Sequence, residues 1–268
     1  MKRIITLTTD FGLKDHYVGV MKGVILSINP DVIIVDITHE IPPQDIFRAS
    51  FTLRNFYRYF PPGTIHIVVV DPGVGSGRKP IALEADNHIF VGPDNGIFTF
   101  IYSEVKSVKP FKISSSKYTL PEVSSTFHGR DIFAPVAAHL SLGLSIEWLG
   151  KKVKEPVKLP IKEPEVSGGK IAGEVIYIDS FGNLVTNIPD YLVKPKSWVY
   201  IGNEVIKGIS KSYADVPKGK LLAVIGSGGF VEISVNQGSA SELIFARRGS
   251  QRLKKVNKMK NIPCVIRI

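Results

Sequence analysis

The stretch from Thr64 to Pro80, TIHIVVVDPGVGSGRKP, constrains this chain more than any other. Ile65, Ile67, Val68, Val69 and Val70 form a run that is mostly β-branched and does not alternate with polar residues. Such a run predicts a strand covered on both faces, as in the middle of a parallel sheet. It ends at Asp71, after which Gly73, Gly75 and Gly77 let the backbone curl and bring Arg78 back toward the acid. Open α/β sheets bind ligands beyond the carboxyl ends of their strands, which makes this loop a candidate site. The plainer reading is a polar loop with a structural Asp–Arg pair, and this stretch alone leaves both open.

The residues before it repeat the pattern. Lys2 to Thr9 reads as a strand ending at Asp10-Phe11-Gly12, and Asp15 is placed to cap a helix over about 16 to 28. Val32 to Ile37 reads as a second buried strand ending at Thr38-His39-Glu40, and a helix is expected from about Asp45 to Tyr59. Three strand–helix alternations within the first 75 residues predict a three-layer α/β domain with a mostly parallel sheet. They place Asp10, His39 and Asp71 on one rim. Short strands follow at Ile81 to Glu84 and His88 to Gly92, then a Pro93-Asp94-Asn95-Gly96 turn that faces the same rim. Residues 103 to 126 read as irregular. Phe127-His128-Gly129-Arg130-Asp131 then opens an apolar helix to about Leu142, and a helix N-terminus suits a negative charge near His128.

Lys151 to Lys170, with three prolines, many charges and Gly168-Gly169, is the best linker in the chain, so the expected domains are 1 to 165 and 166 to 268. Beyond it short strands such as Lys170 to Asp179, Ser197 to Ile201, Leu221 to Ile225, Phe230 to Ser234 and Cys264 to Ile268 predict a small C-terminal β-barrel. No apolar run approaches a membrane span and no leader of the secretory type is visible, which predicts a cytoplasmic protein. The single cysteine, Cys264, excludes an internal disulfide framework and reads as a packed strand residue.

The net charge of +10 invites a nucleic-acid reading. Eight of the basic residues, however, fall between Arg247 and Arg267, and without them the chain carries only +2. A hairpin-like, charge-blunted edge accounts for that segment, which lacks an aromatic-rich binding run or zinc spacing, so nucleic acid is kept only as an alternative partner.

Asp10, His39, Asp71 and His128 are metal-ligating residue types without a recognised ligand spacing, so no metal is expected. His16, His66, His88 and His139 lie inside apolar or helical patterns and read as structural. The glycine loop lacks the GK[ST] ending of a phosphate cradle and the flanks of a nucleophile elbow. What remains is Asp71, Arg78 and His128. Such a set can activate a water: the arginine stabilises hydroxide-like charge, the carboxylate orients, and the imidazole exchanges a proton. In the second domain Asp179, Phe181, Asn183 and the amide Asn187 cluster after a strand. There Asp179 suits a hydroxyl pair or an ammonium, unless it merely satisfies a local turn. Ser227-Gly228-Gly229-Phe230 and Asn236-Gln237-Gly238-Ser239-Ala240 read as turns with room for a flat ring.

Taken together, TTDFG at Thr8 to Gly12, DHYVGVMKG at Asp15 to Gly23, DPGVGSGR at Asp71 to Arg78, FHGRD at Phe127 to Asp131 and IDSFGNLVTNI at Ile178 to Ile188 resemble the S-adenosylmethionine hydroxide adenosyltransferase family. These adenosine-forming S-adenosylmethionine hydrolases are related to the fluorinase and chlorinase. The resemblance implies an N-terminal α/β domain, a C-terminal β-barrel and a homotrimer whose sites lie between subunits. It implies S-adenosylmethionine as substrate, no cofactor, and a catalytic water held by Asp71, Arg78 and His128. Asp10 would contact the ribose, and Asp179, Phe181, Asn183, Ser227 and Asn236 the methionine and adenine parts. The halogenases carry uncharged groups where Asp71 and His128 stand, which argues against halide use, and two of their pocket aromatics match Gln44 and Val185 here.

Overall fold

The computed structural model describes residues 3–247 and 262–267. The expected basic hairpin over 247 to 267 therefore lies, apart from its ends, outside the described residues. The chain divides into two compact units, Met1–Pro160 and Ile161–Ile268.

The first unit holds β1 (Ile4–Thr9), α1 (Tyr17–Ile28), β2 (Ile33–Thr38), α2 (Ile46–Phe56), β3 (Ile65–Val69), β4 (Pro80–Ala85), β5 (His88–Pro93), α3 (Thr99–Glu104), β6 (Val108–Lys112) and α4 (Ala134–Ser141). Its sheet has the order β2-β1-β3-β5-β4-β6. The pairs β1/β2, β1/β3 and β3/β5 are parallel, whereas β4 runs antiparallel to β5 and β6.

The unbroken apolar run of β3 has a direct structural meaning. Ile65, Ile67 and Val69 pack into a cluster with Met21 and Ile25 of α1 and Val136 and Leu140 of α4. Val68 and Val70 pack into a second cluster with Leu53 of α2 and Ile101 of α3. Helices thus cover both faces of the sheet, and no position on its central strands is left for a solvent-facing polar residue.

Three local expectations fail for physical reasons. Strand β2 is not buried: it is the sheet's edge, with Ile33 45% exposed, and the Lys22–Asp36 ion pair at 2.5 Å lies on it. Helix α1 starts from His16 with no side-chain cap, so Asp15 does not cap it. The stretch 103 to 126 contains β6, whose proline is tolerated because the strand is an edge. Asp45, by contrast, does cap α2, its carboxylate accepting from the Arg48 amide at 3.0 Å.

The second unit is antiparallel. Among the described residues its strands are β7 (Glu165–Ser167), β8 (Lys170–Ile178), β9 (Leu184–Pro189), β10 (Trp198–Ile201), β11 (Glu204–Lys207), β12 (Leu221–Ile225), β13 (Phe230–Val235) and β14 (Pro263–Arg267), with one α-helix, α5 (Ala240–Arg247). They follow the path β11-β10-β14-β8-β9-β13-β12, with β7 beside β8. The ends of this path approach each other where the Ser210 amide, just after β11, donates to Ala223 of β12 at 2.7 Å. The sheet is a nearly closed barrel around Ile171, Leu184, Val199, Ile233 and Cys264. Burial pushes the Cys264 thiol up to about 12, so it stays protonated and acts as a small apolar side chain.

Candidate active site

Asp71 lies two residues beyond the end of β3, and the loop after it is folded by its own backbone. The Val74 amide donates to Asp71 O at 3.2 Å and the Ser76 amide to Gly73 O at 3.1 Å. The Ser76 hydroxyl donates to Gly73 O at 2.6 Å and accepts from the Arg78 amide at 3.3 Å. Gly75 takes φ +76°, and a Cβ there would run into the Ser125 carbonyl oxygen, so this apex requires glycine.

The loop returns Arg78 onto Asp71. Arg78 donates through Nε to Asp71 Oδ1 at 3.0 Å and through Nη2 to Oδ2, the two-pronged geometry that only a guanidinium supplies. The pair is almost closed to solvent, at 8% exposure for Arg78 and 6% for Asp71. Arg78 Nη2 also lies 2.6 Å from His128 Nδ1. The guanidinium carbon stands 5.4 Å from the centre of the Phe133 ring. Among the described residues its remaining nitrogen, Nη1, is buried and has no hydrogen-bond partner.

That contact fixes the state of His128. An arginine has no acceptor, so Nδ1 must be unprotonated and the neutral ring carries its hydrogen on Nε2. Burial, and then the charge of Arg78, hold the His128 pKa below its ordinary value, while Asp71 and Asp131 oppose the shift less strongly. The imidazole is therefore neutral at pH 7 and offers an Nε2–H donor. His128 precedes a π turn, Gly129–Phe133, that runs into α4, rather than a regular helix start.

Asp10 ends β1 and accepts from the Gln44 amide at 2.9 Å, with Gln44 held at φ +66°. Burial raises the pKa of Asp10; the Gln44 bond works against this and the charge of Asp71 adds to it. Both carboxylates lie just beyond the carboxyl ends of the adjacent parallel strands β1 and β3, on one rim. His39, expected there as well, is instead a brace. It is buried, Nδ1 lies 2.8 Å from Thr9 Oγ1 and Nε2 lies 3.1 Å from Asp36. His66 and His88 form a buried pair at 3.2 Å, and His16 and His139 lie against Tyr17 and Tyr118. Of the rim turn, Asn95 donates to Val70 O at 2.9 Å, directly before Asp71, whereas Asp94 accepts from the Val157 amide at 2.9 Å. No group of three or more His, Cys, Asp or Glu suited to a metal occurs among the described residues.

In the second unit, Asp179 serves a turn. Its Oδ1 accepts from the Phe181 and Asn183 amides, both at 2.9 Å, and Oδ2 from Asn183 Nδ2 at 2.7 Å. Asn236 Nδ2 likewise donates to Val216 O at 2.7 Å. Phe181, 77% exposed, and Ser227 remain accessible. Sequence reasoning missed Glu232 on β13, whose carboxyl is pushed up by burial first and by Asp179 second, with Tyr213 hydrogen-bonded to it. It also missed the fully buried Asp131. A charge inside a mostly apolar strand was the available signal for Glu232.

Residues 5–150 match the family described as SAM hydroxide adenosyltransferase N-terminal domain, and residues 173–252 its C-terminal domain. The chain belongs to the SAM hydroxide adenosyltransferase family. Relatives named (R)-S-adenosyl-L-methionine hydrolase include one from Thermus thermophilus, 38% identical over 92% of this chain and 97% of its own length. Another, from Methanocaldococcus jannaschii, is 39% identical over 90% of this chain and 91% of its own. A fluorinase from Actinoplanes is more distant, at 29% identity over 69% of this chain and 71% of its own. Among solved structures, an uncharacterized conserved protein from Thermotoga maritima matches with a TM-score of 0.88 and 39% identity, covering 98% of this chain and 100% of that one. The family match spans every motif on which the sequence resemblance rests, in both units.

Proposed function

We propose that this protein hydrolyses S-adenosyl-L-methionine to adenosine and L-methionine. Water attacks the ribose C5′, the new C5′–O bond forms as the C5′–S bond breaks, the sulfonium leaves as the neutral thioether of methionine, and one proton is released. The leaving group needs no general acid, so the site has only to make an oxygen nucleophilic and hold it in line. The observation that carries this reading is the buried Arg78, tied to Asp71 and His128 through Nε and Nη2 with its Nη1 donor left unpartnered. That donor suits an oxygen with hydroxide-like charge, and His128 Nε2–H supplies a second. In this reading Asp71 fixes the guanidinium, Asp10 binds the ribose hydroxyls, and Asp179, Phe181, Asn183, Ser227 and Asn236 line the adenine and methionine end. A halide would meet the negative field of Asp71 and Asp10, which disfavours halogenase chemistry.

The proposed assembly is a homotrimer in which neighbouring subunits supply the two sets of groups. The proposed location is the cytoplasm, where a buried lone cysteine is at home. Among the described residues no helix is long and apolar enough to cross a membrane. The deciding experiment is turnover of the (R) and (S) sulfonium epimers in H2(18)O, with products separated by chromatography. Adenosine carrying the label at its 5′ oxygen is expected. Unlabelled adenosine, or methylthioadenosine as the product, would overturn the reaction.

A further inference from the structure

A carboxylate with no hydrogen bond to Arg78 or His128, that of Asp131, anchors the segment that leads into His128. Asp131 is completely buried. Its Oδ2 accepts from the Ser124 amide at 2.9 Å and the Ser124 hydroxyl at 2.8 Å, and its Oδ1 accepts from Arg130 Nε at 2.5 Å. Its own carbonyl accepts from the Leu120 amide at 2.9 Å. Ser124 Oγ passes the constraint on by accepting from the Phe127 amide at 3.1 Å, one residue before His128. The neighbouring Ser125 presents the carbonyl oxygen that closes over Gly75, the apex of the Asp71–Arg78 loop.

We infer that Asp131, acting through Ser124, is a positioning residue that sets the His128 ring and the loop apex against Arg78; this rests on the reading that these groups hold the attacking water. The first amides of a helical segment lack partners within it, and His128 supplies no side-chain cap of its own. Ser124 instead holds the residue just ahead of this start, through the Phe127 amide, and Asp131 fixes the rotamer of that serine. Burying a carboxylate is costly unless its oxygens are fully bonded, and an apolar residue would pack the space as well. What the carboxylate adds is direction: two donors from one serine converge on one oxygen, so the 120–127 segment has a single seating. The same segment meets the Asp71–Arg78 loop at two points, His128 against the guanidinium and the Ser125 carbonyl over Gly75.

The test uses the full chain with Asp131→Asn, Ser124→Ala and Ser124→Thr. It reads steady-state adenosine formation and the ring nitrogen-15 shifts of His128. Asp131→Asn and Ser124→Ala are expected to lower kcat by about ten- to a hundredfold with KM changed by less than about threefold, because misplacement of reacting groups acts on the transition state. The His128 ring should pass from a single tautomer to a mixture in both. Ser124→Thr keeps the hydroxyl and should restore both readouts. Folded Asp131→Asn and Ser124→Ala proteins with wild-type kcat and an unmixed tautomer would overturn the inference. If Asp131→Asn does not fold, Ser124→Ala decides alone. Should wild type make no adenosine while Ser124→Ala mixes the tautomers, the proposed reaction falls and the positioning role stands; an active wild type with an indistinguishable Ser124→Ala does the reverse.

Discussion

Replacing Arg78 by Met should be among the most damaging single changes available in this molecule, and not only to activity. Arg78 is the only hydrogen-bond partner that the Asp71 carboxylate has among the described residues, and it engages both oxygens. Both side chains are more than nine-tenths closed to solvent. Removing the cation leaves a buried carboxylate beside a second one, Asp10, on the same rim. Breaking a buried pair in this way costs about 3–5 kcal/mol, against a total of about 5–15 kcal/mol for a domain. The double variant Asp71→Asn/Arg78→Met removes the stranded charge and should recover most of that loss, giving a coupling of at least about 2 kcal/mol in a double-mutant cycle. The assay is urea unfolding at pH 7, repeated in 1 M salt; a buried pair is little screened, so the coupling should persist. A single-variant loss below about 1 kcal/mol with no coupling is the behaviour of an exposed pair, and it would refute the closed geometry on which the site argument rests.

The pH dependence follows from the folded state of His128. Its pKa lies below the ordinary histidine value, so the rate should be flat around pH 7 and fall only as the ring charges below it. His128→Ala should be slow at every pH and lack that acid limb; an unchanged limb would assign it to another group. His66 is buried neutral, with its pKa depressed to about 3. Its stabilising contribution is complete above the unfolded value of about 6.5 and is lost as pH falls from there, at about 1.4 kcal/mol per unit. Urea unfolding between pH 6.5 and 5 should show this slope, reduced by one proton in His66→Gln; equal slopes would contradict it. For the assembly, light scattering should give a trimer. Mixing Asp71→Asn with Asp179→Asn chains should then recover some activity, whereas an active monomer would exclude shared sites.

The first unit was legible because its rules are local and redundant. An unalternated run such as Ile65 to Val70 has almost no stable setting other than a strand covered on both faces, and two further strand–helix units then fix the parallel order and the common rim. What escaped were elements whose environment lies elsewhere in the chain. Val32 to Ile37 is as apolar as β3, yet it stands at the edge of the sheet, and nothing within six residues can say which strand comes last. Val108–Lys112 is half polar and carries a proline, so it has no strand signature of its own. It exists because β4 offers an unpaired edge, to which it adds in antiparallel register. Glu204–Lys207 is a similar case, ordered by pairing with β10.

The site divides along the same line. Asp71 and Arg78 are tied by a loop of a few residues, and the glycine at its apex is a direct record of the curl, so chain proximity alone brings them together. His128 lies fifty residues further on, and its residue type permits both a proton acceptor and a fixed donor. Only the 2.6 Å contact to a permanently charged guanidinium decides between them, by occupying Nδ1 and leaving the hydrogen on Nε2. The same reasoning explains His39, which has the residue type and the rim position of a site group. Its Nδ1 is nevertheless taken up by Thr9, and its Nε2, although 3.1 Å from Asp36, is buried without a hydrogen bond, so neither ring nitrogen is open to a ligand at the surface. Composition can therefore nominate a histidine on a rim, but its function is set by which of its nitrogens the fold leaves free.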